Sequence, residues 1–130
     1  MLNGLDTATL LWVLTGSAAG GAARYAVSEA VARRLLERFP WSTLVVNVTG
    51  AVAIGGWFGA AVANSSVQAL FVLGFLGSYT TVSTFALQSL LLGTEGRWCA
   101  AVAYVLVSSL ACLLAVALGF AAGTAFAGGV

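Results

Sequence analysis

The chain has 130 residues, of which 61% are hydrophobic and 7% charged, a balance that membrane-spanning helices require and a soluble domain of this size does not. Its net charge of +1 comes from five arginines and four acids with no lysine, which argues against nucleic acid as a partner. Histidine is absent, and with it the commonest general base and metal ligand.

A membrane span takes roughly 20 residues, so the chain has room for about four. The polar lead Met1 to Asp6 carries no basic segment, so no cleaved signal peptide is expected and the first span, about 10–30, is retained. Within it, Gly16-xxx-Gly20 is a small-xxx-small spacing that lets a second helix approach closely. Arg24 is costly in such a helix unless it pairs, meets water or snorkels to the helix end, and Glu29 is too far along for an ideal i,i+4 pair.

A charged connection follows, from Glu29 to Pro40, with Arg33, Arg34, Glu37 and Arg38. Pro40 and the interfacial Trp41 open the second span, about 41–62. Thr43 and Asn47 share one face of it, which Ala51, Gly55 and Gly59 continue. An asparagine at membrane depth needs a partner, which is either another helix or a permeating anion.

After a short uncharged turn at 63–66 comes the third span, about 67–92, with an interruption from Gly74 to Phe85. Gly74 and Gly77, then Ser78, Thr80, Thr81, Ser83 and Thr84, are poor material for a lipid-facing helix. Backbone that leaves the helix at this depth must meet protein or a water- or ion-filled cavity, which predicts a broken helix near Gly77–Thr81. The turn Gly93 to Arg97 precedes a fourth span, about 98–121, anchored by Trp98. Tyr104, Ser108 and Cys112 form a weakly polar stripe on that span, read either as contact between helices or as a pathway. Cys99 and Cys112 read as small apolar residues, and the Gly/Ala-rich tail carries no signal of its own.

With four spans, Arg33, Arg34, Arg38 and Arg97 all fall on one side, and the positive-inside rule then places both termini outside. An enzyme reading lacks parts: there is no histidine and no pair of acids within the apolar segments. The same missing carboxylate argues against a proton-coupled transporter. Asn47, the hydroxyls of the break, Tyr104, Ser108 and Arg24 suit an anion, as does the electropositive edge of Phe85. Carbonyls freed by the break suit a cation such as sodium.

Three segments occur in order: Gly20-Gly21-Ala22-Ala23-Arg24-Tyr25, Thr43-Leu44-Val45-Val46-Asn47-Val48-Thr49-Gly50, and Gly74-Phe75-Leu76-Gly77 through Thr80-Thr81-Val82-Ser83-Thr84-Phe85. Together they resemble the Fluc (CrcB) fluoride channels over essentially the full length, and the last resembles the family motif G-F-x-G-G-x-T-T-F-S-T-F. The resemblance implies an all-α membrane protein of four transmembrane helices in the bacterial inner membrane, assembled as an antiparallel dual-topology dimer. It implies passive export of fluoride and a structural sodium at the dimer centre, held by main-chain carbonyls of Gly77 and Thr80. Asn47, Phe85, Ser83, Thr84, Thr43, Tyr104, Ser108 and Arg24 would then accompany the fluoride path. The chain departs from the pattern at Val82 (a phenylalanine), Ser78 (a glycine) and Gln88 (a glutamate). A homodimer is the favoured assembly, and Val82 with the one-sided arginines keeps a heterodimer with a related chain as the alternative.

Overall fold

The structure, a computed structural model, describes residues 6–35 and 38–129; Glu37 and the lead before Asp6 lie outside the described residues. Helices account for nearly all of it, and no strand occurs among the described residues. Helix α1 (Thr7–Ala32) starts where the Asp6 carboxylate accepts the Thr9 N–H at 2.8 Å, an N-cap that supplies one of the partners a helix start lacks. Helix α2 is Trp41–Gly59. Helix α3 covers 65–79 in three continuous pieces, Ser65–Gln68, a π-helical stretch Ala69–Leu76, and Gly77–Tyr79. Helix α4 is Val82–Thr94 and helix α5 is Trp98–Gly128.

Three segments are long and apolar enough to cross a membrane: α2, the stretch Ser65–Thr94 taken through its interruption, and α5. At 26 residues α1 is about 39 Å long, more than a bilayer core needs, but it is not among the three. Glycine, alanine, serine, threonine and Arg24 dilute its leucines. Helix α5 runs beyond the expected 121 because alanine is the best helix former, and because Gly119 and Gly123 give it a docking face on α2.

Small residues decide which helices pair. Gly16 and Gly20 of α1 lie against the carbonyls of Leu70 and Phe75, and Gly74 of α3 lies in turn against Val13. Gly55 and Gly59 of α2 meet the Val116 and Phe120 carbonyls, while Gly119 and Gly123 meet those of Val52 and Gly56. Both contacts advance together along the sequence, so α1 runs parallel to α3 and α2 runs parallel to α5. Without a hydrophobic force to drive helices together in lipid, close backbone packing of this kind provides the attraction. The spacing that predicts close approach at Gly16 and Gly20 is matched by the structure.

The π-helical stretch has no counterpart in the sequence reading. Along it and into the turn that follows, the rings of Phe71, Phe75 and Tyr79, four residues apart, stack at centroid separations of 5.8 Å with interplanar angles of 6° and 10°. The Tyr79 hydroxyl then bonds Thr49 of α2 at 2.8 Å. At the other end of the molecule, Gly96 takes φ +76° in the predicted turn. There Arg97 Nη2 donates to the Arg38 carbonyl at 2.6 Å, which puts the two arginine-bearing connections side by side. Glu29 pairs with Arg33 at 2.9 Å, leaving Arg24 to find a partner elsewhere.

Candidate functional site

Helix α3 ends at Tyr79, two residues run extended (Thr80 φ −78°, ψ 159°; Thr81 φ −149°, ψ 120°), and α4 begins at Val82. The break falls within the predicted window, but the glycines do not make it: Gly74 and Gly77 are both helical. Thr81 and Asn47 hold it together. Asn47 Oδ1 accepts the Thr81 N–H at 2.8 Å, and Asn47 Nδ2 donates to the Thr81 carbonyl at 2.9 Å. The Thr81 hydroxyl caps α4 by accepting the Thr84 N–H at 3.2 Å, and it also contacts the hydroxyls of Ser83 at 3.2 Å and Thr84 at 3.1 Å.

A cavity of about 400 Å³ opens beside the break, walled by α2, the break itself and α5. Asn47, Gly77, Thr80, Phe85 and Ser108 all line it, so residues scattered over 62 positions of sequence converge here. Val82 lines it too and is 80% exposed. Ser108 is buried, and its hydroxyl has no hydrogen-bond partner among the described residues. Thr43 and Tyr104 sit buried deeper, with Tyr104 fully enclosed and its ring 5.3 Å from that of Phe85. Ser83, Thr84 and Arg24 do not line the cavity. Arg24 is half-buried about two turns before the end of α1, and its Nη1 makes a long 3.5 Å contact with the Thr80 carbonyl. It reaches the break instead of snorkelling away from it.

A family model described as "CrcB-like protein, Camphor Resistance (CrcB)" matches residues 11–120. The chain belongs to the CrcB family. It is 51% identical to a protein of Rhodopseudomonas palustris named "Fluoride-specific ion channel FluC 2", over 91% of this chain and 95% of that one. It is 49% identical to a Bradyrhizobium diazoefficiens protein of the same name, over 83% of each chain. A third similar protein, "Fluoride-specific ion channel FluC" of Paramagnetospirillum magneticum, is 42% identical over 89% of this chain and 95% of its own. Membership of a family whose members are named as bacterial ion channels, together with three apolar helices, makes this CrcB protein a multi-pass inner-membrane protein and not an enzyme.

Sequence reasoning about this CrcB chain missed two features. The first is Thr81 as the hub of the break. An unpartnered asparagine opposite a Thr-Thr pair in an apolar segment is the signal that points to it, since each needs what the other offers. The second is Gln88, whose Oε1 accepts the Tyr104 hydroxyl at 3.0 Å. Gln88 also lines a second cavity of about 230 Å³ on the arginine-bearing side, together with Arg38, Arg97 and Glu95. Gln88 therefore joins that cavity to the Tyr104–Phe85 cluster. Tyr104→Phe is expected to lower stability by about 1–3 kcal/mol, because it strands a partly buried acceptor on Gln88. Thermal unfolding in detergent measures it, and a variant as stable as the wild type would show that the bond contributes nothing.

Proposed function

We propose that this CrcB chain is a passive, fluoride-selective channel that exports cytoplasmic fluoride across the bacterial inner membrane. The observation that carries this is the cavity on which Asn47, Phe85 and Ser108 converge beside the break. Neutral donors with no acid beside them favour a small anion over a cation. The second N–H of Asn47 and the edge of the Phe85 ring add to the same preference, and no acid lines this cavity. Val82, Thr80 and Thr81 complete the wall, and a track of hydroxyls through Thr43, Tyr104 and Ser108 would replace water around the ion. Ser83 and Thr84 stand behind this wall, their hydroxyls on that of Thr81.

We take α1 to be the fourth span. Its length and its parallel packing on α3 support this reading. We further take the working unit to be an antiparallel dual-topology homodimer. A sodium ion at its centre would be held by the carbonyls of Gly77 and Thr80 from both chains. These donors suit the ion. Thr81 gives its N–H to Asn47, so Gly77 loses the donor that an unbroken helix would supply, and the Thr84 N–H that would meet the Thr80 carbonyl goes to the Thr81 hydroxyl. No cluster of three or more His, Cys, Asp or Glu that could compete for a cation occurs among the described residues. Such a sodium would supply a fixed positive charge between the two subunits.

Fluoride efflux from liposomes holding the purified chain alone is the test. Efflux well above empty vesicles, with chloride retained, is expected. A folded dimer that passes no fluoride would sink the proposal for the chain alone. Val82, 80% exposed where the family motif has phenylalanine, favours one second reading, a half-degenerate subunit of a heterodimer. That reading requires flux to appear only on co-expression with an oppositely oriented, related chain.

A further inference from the structure

We propose that Asn47 is a positioning residue that opens the third span and thereby creates its main-chain cation seat, a role separate from any contact with a permeating anion. The inference rests on the sodium reading above. Its starting point is where the hydrogen bonds of the break go. In an unbroken helix the Thr81 N–H would donate to the Gly77 carbonyl, four residues back. Here Asn47 accepts that N–H at 2.8 Å and donates to the Thr81 carbonyl at 2.9 Å, so its side chain pairs with one residue's backbone as a neighbouring strand would.

The consequences follow along the chain. The Leu76 carbonyl remains occupied, taking both the N–H of Thr80 at 3.1 Å and its hydroxyl at 2.9 Å. The next carbonyl, that of Gly77, loses its helical donor, and Gly77 is exposed. Thr80, forced extended at ψ 159°, turns its own carbonyl out of the helical row, and Arg24 finds it. Asn47 thus takes the helical donor of Gly77, and the Thr81 hydroxyl that it helps to place takes the helical donor of Thr80, the Thr84 N–H.

The platform is rigid. Asn47 sits on α2, which is locked to α5 through Gly55 and Gly59, and Gly50, one turn on, admits the Thr80 methyl against the α2 backbone. Thr80 and Thr81 are β-branched and accept extended backbone readily. If Asn47 did no more than satisfy a buried polar group, its loss would weaken the protein equally in any salt. If it makes the cation seat, its loss removes only the increment that sodium adds.

The experiment is thermal unfolding of the purified full-length protein in sodium chloride and in choline chloride at equal ionic strength, beside fluoride efflux. The wild type is expected to melt higher in sodium. Asn47→Ala is expected to lose that sodium-dependent shift, as the Thr81 N–H returns to Gly77, while Ser108→Ala keeps the shift and conducts more slowly. An Asn47→Ala protein that retains the wild-type shift would overturn the proposal. Should Asn47→Ala fail to fold, Asn47→Asp decides. Its carboxylate no longer donates to the Thr81 carbonyl but still accepts the Thr81 N–H, the bond that strips Gly77 of its helical donor. The shift is therefore expected to survive while flux is lost, and a folded Asp variant without the shift overturns the role. Wild-type protein that conducts fluoride but shows no sodium shift sinks the cation seat and this role together, leaving the channel reading intact. A sodium shift without flux sinks only the channel reading.

Discussion

Asn47→Asp is expected to abolish fluoride efflux, by roughly a thousandfold. The substitution changes one NH₂ for an oxygen and leaves the side-chain volume almost unaltered, so packing between α2 and the break is preserved. What changes is charge, together with the loss of the hydrogen bond that Nδ2 donates to the Thr81 carbonyl. A carboxylate about 4 Å from a permeating anion repels it by about 4 kcal/mol at the effective dielectric of a partly buried site, which corresponds to about three powers of ten. Removing a neutral donor from the same cavity is a smaller perturbation: Ser108→Ala forfeits a hydrogen bond to a charged group, about 1.5–3 kcal/mol, and is expected to slow efflux about ten- to a hundredfold. The order of the two effects is as informative as their sizes. Initial rates from a fluoride electrode, with equal amounts of folded protein per vesicle, give both. Efflux in the Asp variant within tenfold of the wild type would remove Asn47 from the anion's path and leave the break as its sole function.

The sequence locates the break better than it explains it. Its position is legible because serine and threonine at membrane depth are anomalous wherever they cluster. The glycines beside them invite the wrong cause, since a glycine weakens a helix and one that admits a second backbone looks the same in the sequence. Gly74 belongs to the second kind, with Val13 and Gly16 pressed against it. The π-helical stretch is illegible because Ala69–Leu76 is made of ordinary apolar residues and glycine, with no periodicity that sets it apart from an α-helix. The convergence of Asn47, Phe85 and Ser108 is visible only as a list of residues with the right chemistry, and packing turns that list into one cavity. Arg24 shows the limit most clearly. Its cost in an apolar helix predicts a partner, but the partner is a carbonyl bared by a break 56 positions away, which no local pattern encodes.

The α1–α3 contact seats the helix that leads into the break, and neighbouring glycines on α1 test it. Gly20 is buried, and a Cβ there would run into the Phe75 carbonyl oxygen and approach the Phe75 Cα at 2.9 Å. These are backbone atoms, so no side-chain rotation relieves the clash, and α1 must lift off α3. Gly21 has nothing within 4 Å of where its Cβ would sit. Both positions gain the same intrinsic helix preference on conversion to alanine, about 0.8–1 kcal/mol. Only Gly20→Ala incurs overpacking, about 1–3 kcal/mol or more. Gly20→Ala is therefore expected to melt below Gly21→Ala, and Gly20→Val lower still. Because Arg24 lies one turn beyond Gly20, the displacement also separates it from Thr80, so a protein that folds is expected to conduct poorly. Melting curves and efflux on the Gly20→Ala and Gly21→Ala proteins decide the matter. Equal stability in the two would mean that α1 does not sit backbone to backbone on α3, and that the break is held from α2 alone.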